Sequence, residues 1–205
     1  MSQITSDTTN APLHVIPELV NFYLDEKDHR QFACTDRYHN ERKKNLPAKE
    51  RFCVKEFNEL CNNERDISFI NSIDKKICDT LGIDSSFSEP IQAQRYTVTQ
   101  QFKPHTDFFS EDEYDEHCVY QGNRTWTFMI YLNTVQEGGE TYMCKINKKF
   151  IPQSGTALIW NNLNQNGRGN ENTLHSGEPV LKGSKYIITK WFRQKSASAA
   201  VEPVG

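Results

Sequence analysis

From Pro90 onwards the chain consists of short segments rich in β-branched and aromatic residues. In order they read AQRYTVTQQF, TWTFMIYLN, TYMCKIN, GTALIWNN and SKYIITKWFRQ, with glycine, proline or asparagine between them. Such residues suit the pleated, half-buried surface of a sheet, and the punctuating residues end strands at turns. No helical pattern connects the segments, which favours an antiparallel sandwich or jelly roll over a parallel α/β sheet. We therefore predict a mainly β chain with flanking helices (α+β) and a jelly-roll core.

One helix is indicated before these strands. Apolar residues recur there at helical spacing, at Ile70, Ile73, Ile77 and Leu81, and such a stripe is typical of a helix face packed on a core. The pattern predicts a helix over Asp66–Leu81 that ends at Gly82, because glycine accepts the left-handed conformation of a helix cap.

The length of 205 residues suits one domain with a sizeable core. We expect mobile tails at residues 1–12 and 196–205, which are small and polar, and a single domain over residues 13–195. Within it, residues 13–90 are expected to form a helical support and residues 91–195 to carry the sheet core. The polar stretch NLNQNGRGNEN is predicted to be an exposed loop.

The net charge of the chain and the sequence of its N-terminus limit the partners and the location that we expect. With 24 Lys and Arg against 27 Asp and Glu, the net charge of -3 gives no attraction to nucleic acid or anionic membranes. Neither a signal peptide nor an apolar run long enough to span a bilayer is apparent. We expect a soluble protein that is cytoplasmic or otherwise intracellular, with no nucleic-acid or membrane partner.

The six cysteines are scattered and show no CxxC spacing. In a reducing compartment such cysteines are expected to be free thiols. They are Cys34, Cys53, Cys61, Cys78, Cys118 and Cys144.

Two potential metal ligands stand in the apolar stretch FKPHTDFF. On a strand, residues two apart face the same side, so His105 and Asp107 can point together into a barrel. A single H-x-D pattern is weak evidence, since an aspartate often only orients a histidine. A third ligand is offered by His175, which we expect to begin a turn. Two histidines and one carboxylate form the facial triad of non-haem iron sites.

An inward-facing lysine adds a second, independent indication. Lys185 enters a strand of apolar residues, where a buried ammonium is costly unless an anion meets it. A stem that reaches out to solvent is the alternative, but beside the triad an anionic co-substrate is the better partner.

These motifs together resemble a known enzyme family. The stretches QRYTVTQQFKPHTDFF, RTWTFMIYLN, GGET, SGTALIWNN and TLHSGEPVLKGSKYIITKWFR, from Ala93 to Arg193, are similar to successive motifs of the prolyl 4-hydroxylase family of Fe(II)- and 2-oxoglutarate-dependent dioxygenases. The resemblance implies a double-stranded β-helix core in which His105, Asp107 and His175 hold Fe(II).

The same resemblance assigns further residues. Lys185 would bind the far carboxylate of 2-oxoglutarate, and Tyr96 and Thr141 would contact the same co-substrate. Trp191 would form a wall of the site, and Arg124 would contact a peptide substrate. Hydroxyl donors beside an ammonium satisfy a buried carboxylate better than a charge alone.

The implied reaction consumes dioxygen and 2-oxoglutarate, releases carbon dioxide and succinate, and hydroxylates a proline in a peptide or protein. Ascorbate is a further cofactor that the family suggests. Two alternatives stay open at this point: the same chemistry on another side chain or a small molecule, and a non-catalytic jelly-roll module in which the three residues hold a structural zinc or simply pack. The oligomeric state is also open.

The chain departs from the family pattern near the predicted groove. Thr99 stands where the family often has glycine, Phe102 where it often has tyrosine, and Met143 and Cys144 replace a more common Phe-Pro pair. Residues 110–118 carry five acids. We interpret this segment either as a solvated surface or as a lid over a peptide.

Overall fold

The computed structural model describes residues 53–56 and 64–198, with side chains described from residue 68 onwards. Both predicted tails and most of the N-terminal support therefore lie outside the described residues, apart from Ser196–Ser198. The extent of the single domain stays a prediction. Within the described part, no helix is long and apolar enough to cross a membrane.

Two antiparallel sheets form the core. The strands of the larger sheet are β1 (Cys53–Glu56), β2 (Gln92–Tyr96), β4 (Arg124–Tyr131), β8 (Ala157–Asn161) and β11 (Lys185–Arg193), in the order β1-β2-β11-β4-β8. The smaller sheet has the order β3-β9-β6-β7 and comprises β3 (Phe102–His105), β6 (Thr141–Met143), β7 (Lys148–Phe150) and β9 (His175–Gly177). A short pair joins β5 (Glu137–Gly138) to β10 (Val180–Lys182). The predicted mainly β jelly-roll fold is confirmed.

Helix α1 (Glu64–Leu81) covers one face of the larger sheet and begins two residues earlier than predicted. Its isoleucine stripe is buried against Phe128, Ile188 and Phe192 of the sheet. Gly82 has a φ of 66°, and the amides of Gly82 and Ile83 donate to the carbonyls of Asp79 and Cys78. These bonds form a Schellman cap, so the predicted helix end is confirmed.

The two faces of the central strand β11 contact different layers of the molecule. Residues at even positions, such as Ile188 and Phe192, pack toward α1. Those at odd positions, such as Ile187 and Trp191, line a pocket between the two sheets. This alternation is the period of two that a strand requires, and it allows one strand to serve both the core and the pocket.

The segment AQRYTVTQQF is divided between the two sheets. A turn over residues 97–101 separates β2 from β3, and Thr99 lies in it with a φ of 73°. Glycine adopts this left-handed conformation without the steric penalty that a β-branched residue incurs. The backbone conformation therefore explains why the family often has glycine at this position. Threonine here carries local strain.

Two further predictions concern loops and thiols. The stretch NLNQNGRGNEN is exposed at its tip, but Asn162 and Leu163 at its start are buried, so the prediction of one exposed loop is wrong there. Cys78, Cys118 and Cys144 are free, as predicted. The other three cysteine side chains lie outside the described residues.

The acidic segment is folded. A 3-10 turn over Glu111–Glu113 continues into helix α2 (Tyr114–His117). Ser110 and Glu113 form a capping box at its start, and Cys118 at its end is buried. The interpretation as a lid stays a prediction.

Candidate active site

Three potential metal ligands lie together at one end of the smaller sheet. His105 is the last residue of β3 and His175 the first of β9, and the two are directly opposite in register. One ligand atom from each histidine and one carboxylate oxygen of Asp107 all lie within 4.8 Å of one another. The structure therefore brings together the three residues that the sequence predicts as metal ligands.

Two details of their placement differ from the prediction. The partner strand β9 begins at His175, so β3 has no pairing partner beyond His105 and ends there. Asp107 consequently lies in a bend just after the strand, not on it. His175 begins a strand and not a turn, because β9 pairs with both β3 and β6 from this residue.

Backbone carbonyls hold both imidazole rings. The Nδ1 atom of His105 lies 2.8 Å from the carbonyl oxygen of Lys103, and that of His175 lies 2.8 Å from the carbonyl oxygen of Thr173. An imidazole that donates from Nδ1 to a carbonyl keeps the Nε2 lone pair available for a metal. Burial, together with the charge of His175, lowers the pKa of His105 to about 4. Its ring is therefore neutral near pH 7, as a metal ligand must be.

Asp107 is buried and ionised. Burial alone would raise its pKa, but His175, His105 and a hydrogen bond from Thr127 outweigh that effect and hold the pKa below its usual value. Its Oδ1 atom lies 3.7 Å from Nε2 of His105. Two imidazoles and one carboxylate form a donor set that fits Fe(II) in a facial triad.

Lys185 reaches the same pocket from the start of β11. It is 2% exposed, and within residues 68–198 no carboxylate forms a salt bridge with it. Its Nζ atom instead lies over the rings of Tyr96 and Tyr131, 5.3 and 5.5 Å from their centroids. Burial lowers its pKa to about 7, against the attraction of Glu140 and Glu178. Such an ammonium is a binding group for an anion that enters the pocket.

The other predicted co-substrate contacts line this pocket too. Thr141 is buried and its hydroxyl accepts a hydrogen bond from Tyr131 at 2.6 Å. The hydroxyl of Tyr96 donates to Oε1 of Gln94 at 2.6 Å. Trp191 contributes a buried indole face, and its Nε1 atom has no hydrogen-bond partner among the described residues. Seven of the eight predicted site residues therefore meet at one pocket.

The eighth residue, Arg124, lies beside the pocket. Its guanidinium packs between the rings of Trp191 and Phe109, 4.0 and 4.8 Å from their centroids. Glu89 holds it through two hydrogen bonds of 2.7 Å and also accepts one from Arg193 at 3.0 Å. A substrate that meets Arg124 therefore encounters a guanidinium that already shares the Glu89 carboxylate with Arg193.

Several residues around the site were missed from the sequence. Trp160 packs edge-on against His175 with ring centroids 4.9 Å apart. Phe102, noted only as a departure from the family pattern, stacks on His105 with centroids 3.8 Å apart. Thr127 and Asn162 form hydrogen bonds behind Asp107. Of these, Trp160 and Asn162 both stand in the motif SGTALIWNN, but Asn162 also begins the polar stretch that predicts an exposed loop.

Comparisons with known proteins agree with this geometry. The family model described as the 2OG-Fe(II) oxygenase superfamily matches residues 91–193, about half of the chain. Human prolyl 4-hydroxylase subunit alpha-1 is 35% identical over 127 residues, which are 62% of this chain and 24% of that protein. The chain thus spans about a quarter of the length of the curated relatives it matches.

Solved structures share the fold. A viral collagen prolyl hydroxylase from Paramecium bursaria Chlorella virus-1, solved as a 2OG complex, is 26% identical with a TM-score of 0.56, covering 76% of this chain and 87% of that chain. A prolyl hydroxylase from Trichoplax adhaerens, solved with a hypoxia inducible factor peptide fragment, is 13% identical with a TM-score of 0.61, covering 91% of this chain and 80% of that chain. The second likeness concerns the fold alone. With the family model matched over every residue of the pocket, the chain belongs to the 2OG-Fe(II) oxygenase superfamily.

Proposed function

We propose that this chain is an Fe(II)- and 2-oxoglutarate-dependent dioxygenase that hydroxylates a proline in a peptide or protein, in the manner of a prolyl 4-hydroxylase. The observation that carries the proposal is one pocket lined by both the His105, Asp107 and His175 cluster and the buried Lys185. The relatives named prolyl 4-hydroxylase support proline as the target.

Six residues of the pocket bind the metal or the co-substrate in this proposal. His105, Asp107 and His175 hold the iron, which when bound supplies the oxidative chemistry that consumes dioxygen and 2-oxoglutarate. Lys185 binds the far carboxylate of 2-oxoglutarate as an ammonium, and Thr141 and Tyr96 contact the same molecule through hydroxyl groups. These groups fix the orientation of the bound co-substrate.

The surrounding side chains exclude water and orient the substrate. Trp191 and Trp160 wall the pocket, and Arg124 lies at its side with Glu89. We assign Arg124 to the approach of the peptide chain, where its paired guanidinium presents a flat face rather than a free charge. Residues 110–118 follow the cluster directly and extend this side of the site.

A structural zinc module is not favoured. Closed structural zinc sites have four protein ligands, whereas the cluster contains three histidine or carboxylate groups within the described residues. Three ligands leave coordination positions for a co-substrate and dioxygen.

The test begins without oxygen. The purified chain is mixed anaerobically with Fe(II) and 2-oxoglutarate, and the weak visible absorption of the iron chelate is measured. Air is then admitted with a proline-rich peptide, and succinate and peptide mass are followed. We expect the band, succinate, and one oxygen gained on proline. No band in folded protein would refute the dioxygenase, whereas a band and succinate without peptide oxidation would refute only the proline substrate.

Variants of the ligands provide the control. His105→Ala, Asp107→Ala and His175→Ala should each abolish turnover and leave the fold intact by circular dichroism, since each removes one of three ligands. Retained activity in two of the three would disprove the metal assignment. The intracellular location, the absence of a nucleic-acid partner and the use of ascorbate stay predictions.

A further inference from the structure

Two polar side chains with no exposure to solvent stand behind Asp107. Thr127 lies on β4 and Asn162 directly follows β8, and both are 0% exposed. The Thr127 hydroxyl donates to Oδ2 of Asp107 at 2.7 Å, and Nδ2 of Asn162 donates to the Thr127 hydroxyl at 2.8 Å. The three groups form one chain of hydrogen bonds.

The donor and acceptor of each hydrogen bond follow from the hydrogens that each group carries. An ionised carboxylate only accepts hydrogen bonds, and a hydroxyl has a single hydrogen. Thr127 therefore uses its hydrogen on Asp107 and has only lone pairs to offer Asn162. The amide nitrogen of Asn162 must face it, which fixes the orientation of the amide.

The backbone holds Asn162 in place. The backbone amide of Asn162 donates to the carbonyl of Thr125 at 2.8 Å, and its backbone carbonyl accepts from the backbone amide of Asn170 at 2.8 Å. Thr127 in turn pairs with Trp160 across β4 and β8. The chain of hydrogen bonds thus ties Asp107, which follows the smaller sheet, to two strands of the larger one.

The two oxygens of Asp107 differ as a result. Oδ2 is occupied by Thr127, whereas Oδ1 lies on the side of His105, 3.7 Å from its Nε2 atom. We infer that Thr127 and Asn162 are positioning residues that make Asp107 a one-oxygen metal ligand and so keep the remaining coordination positions open. This inference rests on the metal site of the proposed function, but not on its substrate.

The test measures metal binding directly, without 2-oxoglutarate or peptide. Co(II) is titrated under nitrogen into the parent chain and into Thr127→Val, which keeps the shape but lacks the hydroxyl. Affinity and the intensity of the visible Co(II) bands are recorded. We expect about 10- to 100-fold weaker binding in Thr127→Val. The band intensity should change as well, because a released Oδ2 atom can add to the coordination.

Thr127→Ser is the matched control, since it restores the hydroxyl and should bind Co(II) like the parent. Asn162→Ala removes the second bond and should weaken binding in the same direction by a smaller factor. It also replaces Thr127→Val as the decisive variant if the latter does not fold.

The outcomes separate the alternatives. Co(II) affinity within threefold of the parent and an unchanged spectrum, with only a lower melting temperature, would give Thr127 a merely structural role and overturn the inference. A parent chain that binds no Co(II) would overturn both the inference and the proposed metal site. Unchanged Co(II) binding in every variant would overturn the inference and leave the proposed function intact.

Discussion

Two lysines on β11 are equally buried but face opposite layers, and substitution should affect them in opposite ways. Lys185 and Lys190 are each 2% exposed. Lys190 forms a salt bridge with Asp74 at 2.5 Å and donates to the carbonyl of Glu89 at 3.2 Å. Lys185 has no salt bridge among the described residues. We therefore predict that Lys185→Met stabilises the ligand-free chain and weakens 2-oxoglutarate binding, whereas Lys190→Met does neither.

The magnitudes follow from these surroundings. The pKa of Lys185 falls from 10.5 to about 7 because burial disfavours its charge, and at about 1.4 kcal/mol per pH unit this sets an upper limit of about 5 kcal/mol on the stability gained. Methionine keeps the apolar stem. The lost charge-assisted hydrogen bond to the co-substrate is worth about 1.5–3 kcal/mol, or about 10- to 150-fold in affinity. Lys190→Met leaves Asp74 without its partner and should destabilise the chain.

The assay uses the Mn(II)-loaded protein, so that no turnover occurs, and measures 2-oxoglutarate binding by calorimetry and unfolding of the ligand-free chain by urea. Lys190→Met controls for the loss of any buried ammonium on this strand. If Lys185→Met binds 2-oxoglutarate within threefold of the parent, the assignment of the anion-binding end is wrong. If it also destabilises the ligand-free chain, Lys185 has a partner that this reasoning overlooks.

Three further predictions follow from the same structure. Because the pKa of Lys185 is lowered to about 7 and a bound carboxylate favours the ammonium, 2-oxoglutarate affinity of the Mn(II)-saturated chain should be level below about pH 7 and fall up to about tenfold per unit above it. Calorimetry in two buffers should show proton uptake, and a flat profile would contradict the prediction. Glu89→Gln should lower the free energy of unfolding by about 3 kcal/mol, since it leaves Arg124 and Arg193 without their carboxylate. Burial raises the pKa of Glu89 but the two arginines outweigh it and lower the pKa, so this stabilisation is present above pH 4.5 and is lost in acid; urea unfolding that shows equal stability of parent and variant at neutral pH would disprove it. Thr99→Gly should stabilise the chain by about 1 kcal/mol by relieving a φ of 73°, and a melting temperature no higher than that of Thr99→Val would count against the strain.

Local patterns were sufficient to predict the main strands after Pro90, the helix and the cluster of three potential ligands, but not strand β1 (Cys53–Glu56), which falls in the segment expected to be a helical support. The isoleucine stripe and Gly82 indicate α1 through spacing and a cap that involve only residues near in sequence. His105 and Asp107 are near neighbours, and His175 stands in a motif of its own. Such features leave a signal in the order of residues, because the physical cause is short-range.

Long-range side-chain pairs left no such signal. Glu89 meets Arg124 and Arg193, which are 35 and 104 positions away. Asn162 begins a polar stretch that predicts an exposed loop, and its burial depends on its bonds to Thr125 and to Thr127, 35 positions earlier. The end of β3 before Asp107 likewise depends on where a distant partner strand begins.

Lys185 and His105, at the two ends of the pocket, lie on strands whose backbone amides are unequally protected from solvent exchange. β11 is hydrogen-bonded to a strand on each side, and all nine of its residues are buried. β3 is an edge strand of four residues with one neighbour. Backbone amides at such an edge exchange with solvent through local opening, whereas those of a central strand require global unfolding. We therefore expect β3 to fray, and His105 to separate from His175, more readily than β11 opens around Lys185, so that a metal bound at the cluster would exchange while the proposed co-substrate anchor keeps its place.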